Sequence, residues 1–181
     1  MVDLTVKQLE LMLAIKMVDY LKLPPAEMGK LELAGLLHDI GMIGISEDIL
    51  NKTGALTQEE FESVKKHVNH GVKILEDIKQ LKGVVEIIKY HHERFDGTGY
   101  PYGRKGEEIP ISARIIAIAD AYDSMVSNRS YREGLPIEEA MKRIEEQSGK
   151  QFDPMIVQAF KAILPEALKE IKSVEDGIIP A

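Results

Sequence analysis

Apolar side chains at Leu4, Leu9, Leu13, Met17 and Leu21 follow the spacing of a helix with a buried stripe, and Pro24-Pro25 stops it. A second apolar face through Leu31, Ala34, Leu37 and Ile40 predicts a helix over 27–39. Gly41 and Gly44 loosen the backbone beyond it, which places His38 and Asp39 at the helix end. Asp48-Ile-Leu50 reads as a single turn. Thr57-Gln-Glu-Glu60 is a capping box that opens a helix bearing Phe61, Val64 and Val68, so His67 sits on a helix, and Gly71 marks close packing or a local distortion.

A further helix over 84–93 carries His91 and His92 near its end and runs into the glycine-rich loop 94–106. Ser112 is placed as the cap of the next helix, which carries Arg114, Ile118 and Asp120. Pro136 opens another helix, and Asp153-Pro154 caps a last one ending near Ile171. No alternating strand pattern competes with these segments. The expectation is an all-α bundle of about seven helices around one core, a single domain over 1–172 followed by a tail over 173–181.

Composition narrows the chemistry. With no cysteine, thiol nucleophiles, disulfides and thiolate metal sites are all excluded, so any metal must be held by imidazole and carboxylate. A net charge of -7 argues against gripping long nucleic acid. It leaves room for a small phosphate ligand beside a cation. No apolar run approaches the roughly 20 residues that span a bilayer, and no signal-like segment opens the chain, so direct membrane insertion is not expected and the cytoplasm is the expected location.

The five histidines stand at 38, 67, 70, 91 and 92. Adjacent helical residues point about 100° apart, so His38-Asp39 and His91-His92 suit the flanks of a two-metal centre better than one tetrahedral ion. Asp120 follows the apolar run Ile115-Ile-Ala-Ile-Ala119, where a carboxylate needs a cation or a strong hydrogen-bond partner. Nitrogen and oxygen donors fit Fe, Mn, Zn or Ni. Two such cations would acidify water for attack on a phosphodiester, with no protein nucleophile. Taken singly each pair is weak, since most isolated histidines are surface or packing residues; His70 reads as a neighbour of His67, and Arg114 and Asp123 read equally well as an ion pair.

Taken together the pieces are specific. Leu36-Leu-His-Asp-Ile-Gly41, Leu56-Thr-Gln-Glu-Glu-Phe61, Lys66-His67, His91-His-Glu-Arg-Phe-Asp-Gly-Thr-Gly-Tyr-Pro101, Ala113-Arg-Ile115, Ala119-Asp120 and Phe152-Asp-Pro154 occur in the order found in the HD-GYP family, a branch of the HD-domain metallophosphohydrolases, which the chain resembles from about residue 20 to 160. The resemblance implies hydrolysis of cyclic di-GMP to pGpG, with GMP as an optional further product. It implies two divalent metals, Fe or Mn ahead of Zn or Ni. It assigns His38, Asp39 and Asp120 to one metal and to catalysis, with Asp39 bridging, and His67, His91 and His92 to the other. Gly97, Gly99, Tyr100 and Pro101 match the signature loop, while Arg114 and Arg132 are basic positions suited to phosphate. A diguanylate cyclase or a PilZ-type protein is the implied partner, and a homodimer is compatible with the family.

Two departures qualify the expectation. The family carries a metal-binding histidine on the first helix; alignment through Leu21-Lys-Leu23 places Val6 there, and no histidine precedes His38. One metal site is therefore expected to be weak or empty unless Asp3 or Glu10 takes its place through a change of register. Met42 stands where the family has lysine, which removes a charge-assisted donor to phosphate, and Ser46 and Ser130 replace prolines. The alternative reading is a catalytically degenerate module that binds a ligand or partner in cyclic-di-GMP signalling.

Overall fold

The computed structural model describes residues 6–128 and 133–175. Its helices are α1 (Val6–Tyr20), α2 (Pro25–Leu37), the single turn α3 (Glu47–Leu50), α4 (Gln58–Lys65), α5 (His67–Leu75), α6 (Lys82–Tyr90), α7 (Ile111–Val126), α8 (Ile137–Glu146) and α9 (Pro154–Glu175). No β-strand occurs among the described residues, so the expected all-α architecture is the observed one.

α7 is the central element. Ala113, Ile115, Ile116, Ile118, Ala119 and Tyr122 are all at most 1% exposed, so this helix is apolar on most of its circumference. It packs against α1, α2, α6, α8 and α9. Burying each of its isoleucines contributes about 1.5–3 kcal/mol before entropy is counted. α1 presents a narrower stripe, Leu13, Ala14, Met17 and Val18, and the same stripe continues one turn earlier into Glu10, which is buried.

Several local readings are refined. α2 starts at Pro25, where a proline suits the first helical position, and ends at Leu37, so His38 is its C-cap and Asp39 lies just beyond. Residues Ile40–Gly44 form a 3-10 turn, where loose backbone was expected. A Cβ on Gly41 would stand 1.9 Å from the His67 carbonyl oxygen and 2.4 Å from the Gly71 nitrogen, which is why this turn can lie directly on α5. Thr57 closes the capping box with Glu60, but the helix it opens breaks at Lys66, and His67 begins α5.

α6 stops at Tyr90, which puts His91 and His92 in the turn that follows. Ser112 is not the cap of α7. Pro110 holds that position, and the Ser112 hydroxyl donates to Glu27 Oε2 at 3.0 Å, tying α7 to α2. α9 runs through the expected boundary at 172 as far as Glu175.

Candidate metal centre

Three histidines are held by one repeated local device. His38 Nδ1 donates to the Gly35 carbonyl at 2.9 Å, His67 Nδ1 to Val64 at 2.7 Å, and His91 Nδ1 to Ile88 at 2.6 Å. Each acceptor is the carbonyl three residues back, in the last turn of α2, α4 or α6. A carbonyl only accepts, so each Nδ1 carries the ring proton and each Nε2 presents a bare lone pair. All three rings are buried, and the Nε2 atoms of His67 and His91 have no hydrogen-bond partner among the described residues. Buried imidazole nitrogens of this kind call for a ligand.

These rings converge. His67, His91 and His92 each offer a donor atom within 4.8 Å of the others, and Glu10, His38 and Asp120 form a second such group. The His38 and His91 rings lie 5.2 Å apart, so the groups are neighbours. Asp39 faces both: its Oδ2 lies 3.2 Å from His38 Nε2 and its Oδ1 lies 3.9 Å from His67 Nε2. Burial, followed by repulsion from His92 and His38, holds His91 far below the ordinary imidazole range. Burial and the neighbouring His67 push His92 down to about 3. Neutral imidazoles with unprotonated nitrogens are the form that binds cations, and the donor set is the nitrogen and oxygen set that suits divalent first-row metals.

A cleft of two adjoining parts opens beside the cluster. The larger, about 600 Å³, is bordered by His92, Asp120, Arg143 and Gln151. The smaller, about 300 Å³, shares His92, Asp120 and Gln151 with it and adds Phe61, Lys65 and Tyr100. Tyr100 lies 4.9 Å from the His92 ring, and Lys65 sits over the Phe61 and Tyr100 rings at 4.9 and 5.4 Å. Burial, then the charges of Asp120 and Asp39, push the Tyr100 phenol up, so it stays protonated and able to donate.

The signature loop is pinned from within. Glu93, buried at the loop's start, accepts from the backbone of Tyr102 at 2.7 Å and of Arg104 at 3.0 Å. Thr98 and Arg94 donate to Asp96 and hold its carboxyl down at about 2. Gly97 takes φ +85°, whereas Gly99 serves by close approach: a Cβ there would meet the Arg94 nitrogen at 2.3 Å.

The fold brings His38, Asp39, His67, His91, His92 and Asp120 together, with Tyr100 at the rim. Arg114 forms a partly buried ion pair, the second of its two expected roles, with Asp153 as its partner in place of Asp123. Arg132 and Asp3 lie outside the described residues. His70 packs over Gly44 and belongs to neither donor group. Glu93 and Lys65 were not singled out from sequence, because a loop-pinning carboxylate and a rim lysine resemble ordinary surface charges until the loop is folded.

The HD domain family matches residues 3–156. Among curated relatives, a cyclic di-GMP phosphodiesterase of Thermotoga maritima is 50% identical over 72% of this chain and 36% of its own length. A cyclic di-GMP phosphodiesterase of Pseudomonas aeruginosa is 43% identical over 82% of this chain and 36% of its own. A 3'3'-cGAMP-specific phosphodiesterase of Vibrio cholerae is 38% identical over 75% of this chain and 26% of its own. The chain thus spans about a third of the length of these relatives. The solved structure of an HDG"Y"P protein from Bdellovibrio bacteriovorus superposes with a TM-score of 0.70 at 25% identity, over 90% of this chain and 53% of that one. A cyclic GMP-AMP phosphodiesterase of V. cholerae shares the fold at a TM-score of 0.72 and 22% identity, over 94% of this chain and 46% of that one.

Proposed function

Because the chain belongs to the HD-domain family, in its HD-GYP branch, we propose that it hydrolyses a phosphodiester bond of a cyclic dinucleotide, cyclic di-GMP first, with the help of two divalent cations. The family implies divalent metal binding. The observation that carries the two-site reading is Asp39, whose two carboxylate oxygens face a histidine of each donor group. Glu10, His38 and Asp120 would hold one cation, and His67, His91 and His92 the other, with Asp39 between them. When bound, the pair supplies Lewis acidity, which acidifies water and withdraws charge from the phosphodiester oxygens.

The chain's own residues orient what enters. The helix-end carbonyls fix the three imidazoles, so little reorganisation is needed when ligand arrives. Phe61 and Tyr100 give the smaller part of the cleft two aromatic rings, and Lys65 adds an ammonium beside them. That surface suits a purine base next to a phosphate. The protonated Tyr100 hydroxyl is a donor at the cluster's edge. Lys65 and Arg143 border the cleft, paired with Glu62 and Glu139. The degenerate alternative is not favoured, since the curated relatives are phosphodiesterases, and Glu10 would offer a donor in place of the missing first-helix histidine.

The test is anaerobic reconstitution with Fe(II), Mn(II) or Zn(II), metal analysis, and product analysis with cyclic di-GMP and 3'3'-cGAMP in parallel. Near two metals per chain with a linear dinucleotide released supports the reading. Metal-loaded protein that cleaves neither substrate sinks the catalytic assignment.

A further inference from the structure

The two donor groups differ in chemistry as well as position. His67, His91 and His92 offer imidazole nitrogens only, whereas Glu10, His38 and Asp120 offer two carboxylates and one imidazole. Asp39 adds one oxygen toward each side, so it leaves the contrast intact. Carboxylate oxygens suit hard cations such as Mn(II), and imidazoles suit the borderline cations Zn(II), Ni(II) and Fe(II).

Glu10 and Asp120 together create the difference, and Glu10 is the larger departure because it lies on an otherwise apolar stripe. It lies on the core-facing stripe of α1, one turn before Leu13 and Ala14, and only 4% of it is exposed. A carboxylate oxygen of Glu10 lies within 4.8 Å of donor atoms of both His38 and Asp120, while its Oε1 stands 3.5 Å from the protonated Nδ1 of His38, a contact that orients the ring and is not itself a metal contact. Two carboxylates in one donor group give that half more negative charge than the all-imidazole group carries, which favours a hard cation there.

We propose that this chain holds an unequal pair of metal sites: an oxygen-rich half at Glu10, His38 and Asp120 that discriminates in favour of Mn(II), and a nitrogen-rich half at His67, His91 and His92 that discriminates in favour of Zn(II). The proposal rests on the two-metal reading above and deepens it. Intrinsic affinity for Zn(II) exceeds that for Mn(II) at most sites, so the signature is a difference between the halves. In competition, the Mn:Zn occupancy ratio of the oxygen-rich half exceeds that of the nitrogen-rich half by about tenfold or more.

The experiment is crystallisation of the full chain with equimolar Mn(II) and Zn(II), with anomalous maps collected at both absorption edges. Metal content in solution, by mass spectrometry, accompanies the maps. A Mn:Zn signal ratio at Glu10 that exceeds the ratio at His91 by about tenfold or more is the expected result. Equal mixtures at both halves, or the reverse order, overturn the inequality while leaving the two-metal reading in place. No ion at either half removes both.

Two variants localise the cause. Glu10→His is expected to bring the Mn:Zn ratio of its half down towards that of the other, with Asp120 keeping part of the difference. Glu10→Gln is expected to lower Mn(II) occupancy there while the nitrogen-rich half keeps its Zn(II), with circular dichroism confirming the helical fold. If Glu10→Gln retains the parent Mn:Zn ratio at both halves, the carboxylate merely orients His38 and the proposal fails.

Discussion

Asp39 is the residue on which most depends, because one side chain faces both donor groups. Asp39→Ala is expected to lower metal affinity at both halves by more than about 100-fold, the upper end of what losing an outer-shell partner alone costs, with turnover lost in parallel. Equilibrium dialysis against Mn(II) and Zn(II) checks it.

The buried imidazoles add a pH dependence to the metal-free protein. His92 titrates near 6.5 when unfolded and at about 3 when folded. Below 6.5 the unfolded chain takes up a proton that the folded chain refuses, so stability falls as pH drops from 6.5 towards 3 and is unaffected above that window. Melting curves in chelator at about pH 7.5 and about pH 5 are expected to separate, and His92→Asn is expected to narrow the gap. At this scale His38-Asp39 and His91-His92 are legible in the sequence as adjacent pairs at helix ends, and His67 through the family motif. Glu10 left a fainter signal: a carboxylate in register with Leu13 and Met17, on a stripe that must face the core.

Helices are legible where a cap or proline punctuates them, as at Thr57 and Pro136. They are less so where the backbone changes type without changing composition. Nothing in the apolar pattern distinguishes a helix that continues past Lys66 from one that restarts at His67, where α5 lies against Gly41. Gly41→Ala tests that contact. The added methyl has no room against the His67 carbonyl, so a loss of about 1–3 kcal/mol is expected, read by thermal melting, together with weaker metal binding at the nitrogen-rich half. Glu93→Ala addresses the signature loop. Removing the acceptor of the Tyr102 and Arg104 amides is expected to speed amide exchange across residues 98–104 and to raise KM more than it lowers kcat.

Across the whole molecule, the donors come from α1, the ends of α2 and α6, the start of α5, and α7, at roughly equal intervals along the chain. The bundle itself was predictable, because each helix shows its own apolar face. Which helix ends meet was not, since that follows from α7 lying at the centre with α1, α2 and α6 around it. Arg114 shows the same limit: its partner Asp153 is distant in sequence, and the ion pair joins the starts of α7 and α9.

The even spread of donors has a polymer-physics consequence. A cation held by residues so far apart in sequence closes several long loops at once, as a cross-link would, and such closures remove the most freedom from the unfolded chain. Stability therefore becomes a function of free metal, growing with the logarithm of its concentration once the sites begin to fill. A cell short of the cation would lose this protein to proteolysis as well as to inactivity, so metal supply would set its lifetime. Limited proteolysis across a metal titration is expected to show half-life rising in step with occupancy.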